Sequence, residues 1–113
     1  MDPAQAPLSS TRVVHARDFR PRRAWDALEL MQLDGVSARL HWTNAPYEWH
    51  LNHGSEVFAV IDGLVDMHYR CDGTERFVTL GAGDVFVAGA GCEHIARPRG
   101  EAHVLVVERA TSP

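Results

Sequence analysis

Trp49 to Gly63 reads WHLNHGSEVFAVIDG, and the reading of the whole chain turns on it. It places His50, Asn52, His53 and Glu56 within seven residues, then runs through the β-formers Val57, Phe58, Val60 and Ile61 to Asp62-Gly63. In an extended strand, residues two apart share a face. His50 and Asn52 therefore point one way and His53 the other. Glu56 has the parity of His50 unless Gly54-Ser55 forms a bulge that resets it. With His50 directed into a barrel, the inward set is His50, Asn52 and Glu56. A carboxyl group and an imidazole aimed into an apolar cavity are costly unless something pairs with them. Either a divalent cation or a hydrogen-bond network among the three residues supplies that partner.

The segments on the N-terminal side are extended as well. Val36, Ala38, Leu40 and Trp42 alternate with Ser37, Arg39, His41 and Thr43, the period of a half-buried strand. Asp34-Gly35 before it is a hairpin turn signal. The stretch from Trp25 to Leu33 fits helix spacing as well as strand spacing, and the hairpin decides for a strand. Asn44-Ala45-Pro46 turns the chain, and Tyr47 to His50 opens the next strand. Val13-Val14 is expected to seed a short edge strand. Arg17, Arg20, Arg22 and Arg23 read as a solvated loop rather than an anion site. Residues 1–10 carry no periodicity and are expected to form a loose arm, leaving 11–113 as one domain.

On the C-terminal side, Asp62-Gly63 is expected to turn the chain into a strand where Val65, Met67 and Tyr69 alternate with Asp66, His68 and Arg70. Asp72-Gly73 turns it into Arg76 to Leu80. Residues 81–84 lead to Val85–Ala88, and Gly89-Ala90-Gly91 leads to Glu93–Arg97. Pro98-Arg99-Gly100 is expected to turn once more before Val104 to Val107, which reads as a core or interface strand. Short strands separated by Gly, Pro and Asp-Gly turns, with no convincing helix, give an all-β sandwich or barrel.

Composition narrows the function. The chain has 113 residues, 45% hydrophobic and 23% charged, ordinary for one globular domain. Its net charge of −4 argues against a nucleic-acid partner. All eleven basic residues are arginine, so lysine nucleophiles and Schiff-base chemistry are excluded. No apolar run approaches the roughly 18 residues of a membrane span. The N-terminus lacks a signal-peptide pattern, and a cytoplasmic location is expected. In that setting Cys71 and Cys92 read as free thiols with no disulfide framework, Cys92 as a small buried hydrophobe. No Gly-x-Ser-x-Gly stretch supports serine catalysis. Trp42, Trp49, Met67, Tyr69 and Phe86 read chiefly as core or interface residues, with a cavity mouth as the alternative. His15, His41, His68 and His103 receive no role.

A second segment, Gly81 to His94, answers the first. Together they resemble the two conserved motifs of the cupin superfamily. The first motif is His, one residue, His, three or four residues, Glu, six residues, Gly. It is similar to His50, Asn52 in place of the second His, Glu56 and Gly63. The second is Gly, five residues, Pro, one residue, Gly, two residues, His. It is similar to Gly83, Gly89 in place of Pro, Gly91 and His94. The nineteen residues between them, Leu64 to Ala82, hold two strands, as in small single-domain bacterial cupins. The resemblance spans Trp42 to Val107. It implies a double-stranded β-helix, or jelly-roll barrel, and a metal site of His50, Glu56 and His94 with Asn52 at the fourth ligand position. The implied cofactor is one divalent transition metal ion: iron, manganese, nickel or zinc. An amide oxygen is a weaker ligand than imidazole for zinc, nickel or copper, whereas two imidazoles and a carboxylate suit non-haem iron or a similar ion with open positions. The resemblance further implies a small-molecule ligand in the barrel, a homodimer, and either metal-dependent dioxygenase or isomerase chemistry or a metal-free sugar- or effector-binding role.

Overall fold

The computed structural model describes residues 7–110. The expected loose arm falls mostly on residues 1–6, outside the described residues, as do residues 111–113. Seven strands make one antiparallel sheet that curls into a barrel: β1 (Ala27–Leu33), β2 (Val36–Thr43), β3 (His50–Leu51), β4 (Glu56–Arg70), β5 (Glu75–Leu80), β6 (Val85–Ala88) and β7 (Glu93–Arg109). Their order is β1-β2-β7-β4-β5, with β3 paired to β7 and β6 to β4. The Asp34-Gly35 hairpin forms as expected. Both residues lie in the left-handed region, at φ 50° and 79°, which matches the twist of the two strands it joins.

Two expected turns are not turns. Asp62-Gly63 and Pro98-Arg99-Gly100 lie within single long strands, β4 and β7, which run antiparallel to each other through both sites. The register shifts between Val60 and Asp62 and again between Asp62 and Leu64, so the chain bends at a bulge instead of reversing. Gly63 makes the bend possible. Its φ is 83°, and a Cβ there would run into the carbonyl oxygen of Glu101 and reach Ala102 Cα at 2.9 Å. The bulge also resets parity. Glu56, Phe58 and Val60 are buried before it, and Val65 and Met67 after it. Each long strand thereby serves both halves of the barrel: residues 56–59 of β4 pair with β6, and residues 65–70 with β5.

The core lies between these halves. Phe58, Val60, Val65, Met67, Leu80, Ala96, Ala102, Val104 and Val106 form its buried cluster, with Trp25 and Phe86 packed against it. Val104 and Val106 are thus core residues.

Two further expectations fail. Val13-Val14 forms no strand. The N-terminal segment is held by side-chain donors and acceptors instead: Arg12 donates to the Leu30 carbonyl at 2.6 Å, and His103 Nε2 lies 2.8 Å from that of Phe19. Val13 itself is exposed, so burial gives it no reason to join a ladder. Cys71 and Cys92 are not free thiols; they form a disulfide. Arg70 faces Glu93 across the β4–β7 ladder, and the next step outward sets Cys71 against Cys92, with Cα atoms 4.3 Å apart. Free-thiol status was an argument from compartment, and the register that joins the two residues is tertiary. No helix among the described residues is long and apolar enough to cross a membrane.

Candidate metal centre

His50, Glu56 and His94 come together at one end of the barrel, with a ligand atom from each lying within 4.8 Å of the others. The register explains how. The short β3 pairs with the start of β7 so that His50 stands opposite His94, their ring centroids 4.1 Å apart. Glu56 opens β4 on the neighbouring side. Its Oε1 lies 3.0 Å from His94 Nε2 and 4.0 Å from His50 Nε2.

These atoms are close without being satisfied. Glu56 Oε1 has no hydrogen-bond partner despite the 3.0 Å approach of the imidazole nitrogen, so that contact is out of line for a hydrogen bond. His94 Nδ1 and Asn52 Nδ2 are likewise buried and unpartnered. Buried polar groups are nearly always bonded, so the unpartnered Glu56 oxygen, facing His94 Nε2 and His50 Nε2, needs an explanation. Two ligands each ~2.1 Å from a transition metal lie ~3 Å apart at a right angle and at most ~4.2 Å apart. The two distances to Glu56 fall in that range. The donor set fits a metal ion.

Asn52 is buried beside the cluster. Its backbone is pinned on both sides, its N–H donating to the Cys92 carbonyl at 3.1 Å and its own carbonyl accepting from Gly91 N–H at 2.9 Å. An amide nitrogen cannot ligate a metal. A half-turn about the last side-chain bond presents the oxygen instead, so Asn52 serves as an oxygen ligand in one orientation and as a donor in the other. His53, one residue on, is exposed and outside the cluster.

The cluster opens onto a cavity of about 780 Å³. Its walls include residues that sequence reasoning left without a role, notably His41, Arg39, Trp25, Tyr47 and Glu108. None of Trp42, Trp49, Met67, Tyr69 and Phe86 lines it. Met67 belongs to the core, Phe86 packs against the core, and Trp49 lies 4.2 Å under the Arg70 guanidinium. The signal for His41 and Arg39 was their strand face: Ser37 and Thr43, which share it, are fully buried.

Trp25 and His41 form a fixed pair. Trp25 holds a left-handed backbone, φ 70°, and its N–H bonds to the Trp42 carbonyl while its indole Nε1 bonds to that of Ala45. Its own carbonyl lies 2.9 Å from His41 Nδ1. A carbonyl only accepts, so Nδ1 carries the hydrogen, and Nε2 of the neutral ring is left as an acceptor. Burial holds the His41 pKa below the ordinary histidine value, and Arg39 works in the same direction against the Trp25 carbonyl.

Arg39 donates to Glu29 at 2.5 Å, and Ser37 donates to the same carboxylate at 3.0 Å. Burial pushes Glu29 upward, but the bonds from Arg39, Ser37 and Gln32 outweigh it and leave its pKa below the usual range. Glu108 stands opposite Glu56 in the β4–β7 ladder. Burial, then the charge of Glu56, raises its carboxyl pKa.

No protein-family model and no curated protein matches this chain. Solved structures do. A cupin-2 domain protein from Shewanella frigidimarina superposes with a TM-score of 0.72 at 24% identity, covering 86% of this chain and 94% of its own. The chain has the cupin fold. A cupin superfamily protein from Desulfitobacterium hafniense gives a TM-score of 0.71 at 16% identity, over 85% of this chain and 87% of its own. A hydroquinone 1,2-dioxygenase solved with Cd²⁺ and 4-hydroxybenzonitrile gives 0.68 at 14%, over 87% of this chain and 69% of its own. At these identities the likeness is one of fold, and what this cupin barrel does must come from its own residues.

Proposed function

We propose that this cupin holds one divalent transition metal ion through His50, Glu56 and His94, with the Asn52 amide oxygen as a fourth ligand. We further propose that it binds or transforms a small organic molecule in the cavity beside the ion. The observation that carries this reading is the meeting of His50, Glu56 and His94, with ligand atoms within 4.8 Å of one another and an unpartnered buried oxygen on Glu56. Two imidazoles, a carboxylate and an amide oxygen suit iron, manganese, nickel or zinc, and leave coordination positions free. An ion there would supply a Lewis acid that polarises a ligand oxygen or, if redox-active iron, an open position for dioxygen. The chain's own residues do the rest. Trp25 and Tyr47 wall off the ligand, His41 Nε2 accepts a hydrogen bond from it, and Glu108 lies across from Glu56.

The deciding experiment is elemental analysis of protein purified without tag or chelator. About one equivalent of a transition metal per chain is expected, and none in His50→Ala/His94→Ala. Stoichiometric metal retained in that double variant overturns the assignment. A second reading, a metal-free binding module, draws on Asn52 Nδ2, a buried donor suited to a ligand oxygen. Thermal stabilisation by small sugars or acids but by no metal would favour it.

We also propose that two copies pair through the outer face of the sheet. There Val85 and Val87 of β6 lie beside Ala59 and Val57 of β4, then Leu105 and Val107 of β7. Light scattering at twice the chain mass, reduced to the monomer in Val85→Asp/Val87→Asp, is the expected result.

A further inference from the structure

We propose that Cys71 and Cys92 are a redox-modification site, opened by a small thiol or dithiol, whose reduction releases the β6–β7 loop from β3 and loosens the cradle of His50, Asn52 and His94. Three observations meet here. The disulfide joins the end of β4 to the residue just before β7, two positions from His94. The same residue, Cys92, accepts the backbone N–H of Asn52, and Gly91 beside it donates to the Asn52 carbonyl. Finally, among the described residues β3 pairs only with the first residues of β7, which that disulfide anchors.

Half of the ligand set therefore hangs on one short ladder. His50 and Asn52 are paired with residues 91–94, and the segment has one further backbone tie to β7, from Tyr47 N–H to the Ala96 carbonyl at 3.2 Å. With the bond closed, that segment is tied covalently to β4 as well as by hydrogen bonds. Cys71 is exposed and Cys92 half-buried, so a reductant can reach the pair. Exposed disulfides are the more readily reduced ones.

The chemistry is thiol–disulfide exchange. The thiolate of a dithiol, or of glutathione, attacks one sulfur of the Cys71–Cys92 bond and breaks it, giving a mixed disulfide and one free thiolate. A second thiolate of the reductant resolves the mixed disulfide. The reductant leaves as its own disulfide, having given two electrons, and Cys71 and Cys92 take up two protons as thiols.

The effect on metal affinity rests on the reading of the cluster as a metal centre. The release of the loop does not, and the test separates the two. Mn²⁺ affinity, followed by electron paramagnetic resonance, and amide exchange are measured on oxidised protein, on dithiol-reduced protein and on Cys71→Ser/Cys92→Ser. Manganese is chosen because it has little preference for the thiolates that reduction creates. Binding ~10-fold weaker or more is expected in both opened forms, the size of effect that lost support around metal ligands produces. Exchange at Asn52 and Gly91 is expected to quicken by more than at Val60 and Val104, the references for the global loss of stability. A rise at Asn52 and Gly91 no larger than that at Val60 and Val104 overturns the proposal, because the loss is then global. Faster local exchange with no Mn²⁺ bound in any form supports the release and removes the metal reading instead. Local release with affinity unchanged within twofold overturns the coupling to the cradle.

Discussion

Glu56 sits where two demands conflict. It is buried at the head of β4, one oxygen has no partner, and Glu108 stands across the ladder from it. An unbonded buried polar group costs about 1–3 kcal/mol. Glu56→Gln is therefore expected to stabilise the metal-free protein by about 1 kcal/mol in urea unfolding while removing the stabilisation that added metal provides, the trade typical of functional sites. His41 carries a pH signature. Its folded pKa is depressed, so below the unfolded value, near 6.5, the unfolded chain binds a proton that the folded one refuses. That contribution is fully present above the unfolded pKa and is lost as pH falls through the folded one. Unfolding at stepped pH should show stability declining from about pH 6.5 downward, with the decline shallower in His41→Gln. Nitrogen-15 shifts of the ring should report the Nδ1–H tautomer at neutral pH.

At the scale of the element, the bend in β4 is the feature on which the site depends, because it lets one strand hold Glu56 in one half of the barrel and Met67 in the other. Gly63 and Gly100 both have positive φ in this region, 83° and 76°, yet they differ in surroundings. A Cβ at Gly63 strikes backbone, whereas one at Gly100 meets nothing within 4 Å. Gly100→Ala should cost about 1 kcal/mol for the left-handed conformation alone, and Gly63→Ala roughly 3 kcal/mol or more, since backbone strain adds to it. Equal costs in denaturant unfolding would mean that close packing at the corner is not what shapes it. The disulfide acts on the same strand from its other end. Its sequence separation of 21 residues corresponds, by loop-closure entropy, to roughly 3 kcal/mol, so reduction should lower the melting temperature by on the order of 10 °C.

For the whole molecule, an ion bound to the folded chain and not to the unfolded one stabilises by mass action. At a concentration one hundred times the dissociation constant the gain is about 2.7 kcal/mol. Calorimetry should therefore show melting shifted upward by the native ion and by few others, reversed by chelator, and absent in the His50→Ala/His94→Ala variant. A shift of equal size in that variant would place the metal elsewhere. Only the assembled sheet makes this possible, since the three ligands lie on β3, β4 and β7.

Much of this was legible in the linear chain. Period-two alternation and Asp-Gly turns carry strand information locally, because side chains of a strand alternate whatever the strand packs against, and β2 and the Asp34-Gly35 hairpin stand where the pattern puts them. The spacing marked His50, Asn52 and Glu56 as candidates and the resemblance added His94, but Asn52 lies past the end of β3 and Glu56 opens β4, so no shared strand face brings them together. Turns and bulges, however, use the same glycines: whether Gly63 and Gly100 reverse a chain or bend it depends on whether another strand runs alongside, which is a tertiary matter. The same holds for His41, whose polar face turned out to line the cavity, and for Cys71 and Cys92, twenty-one residues apart in sequence yet opposite each other in one ladder. Local chemistry determined which residues could form strands and which could ligate. Only the pairing of β3, β4 and β7 decided which of them meet, because register is set by the burial of the whole sheet and not by any one strand.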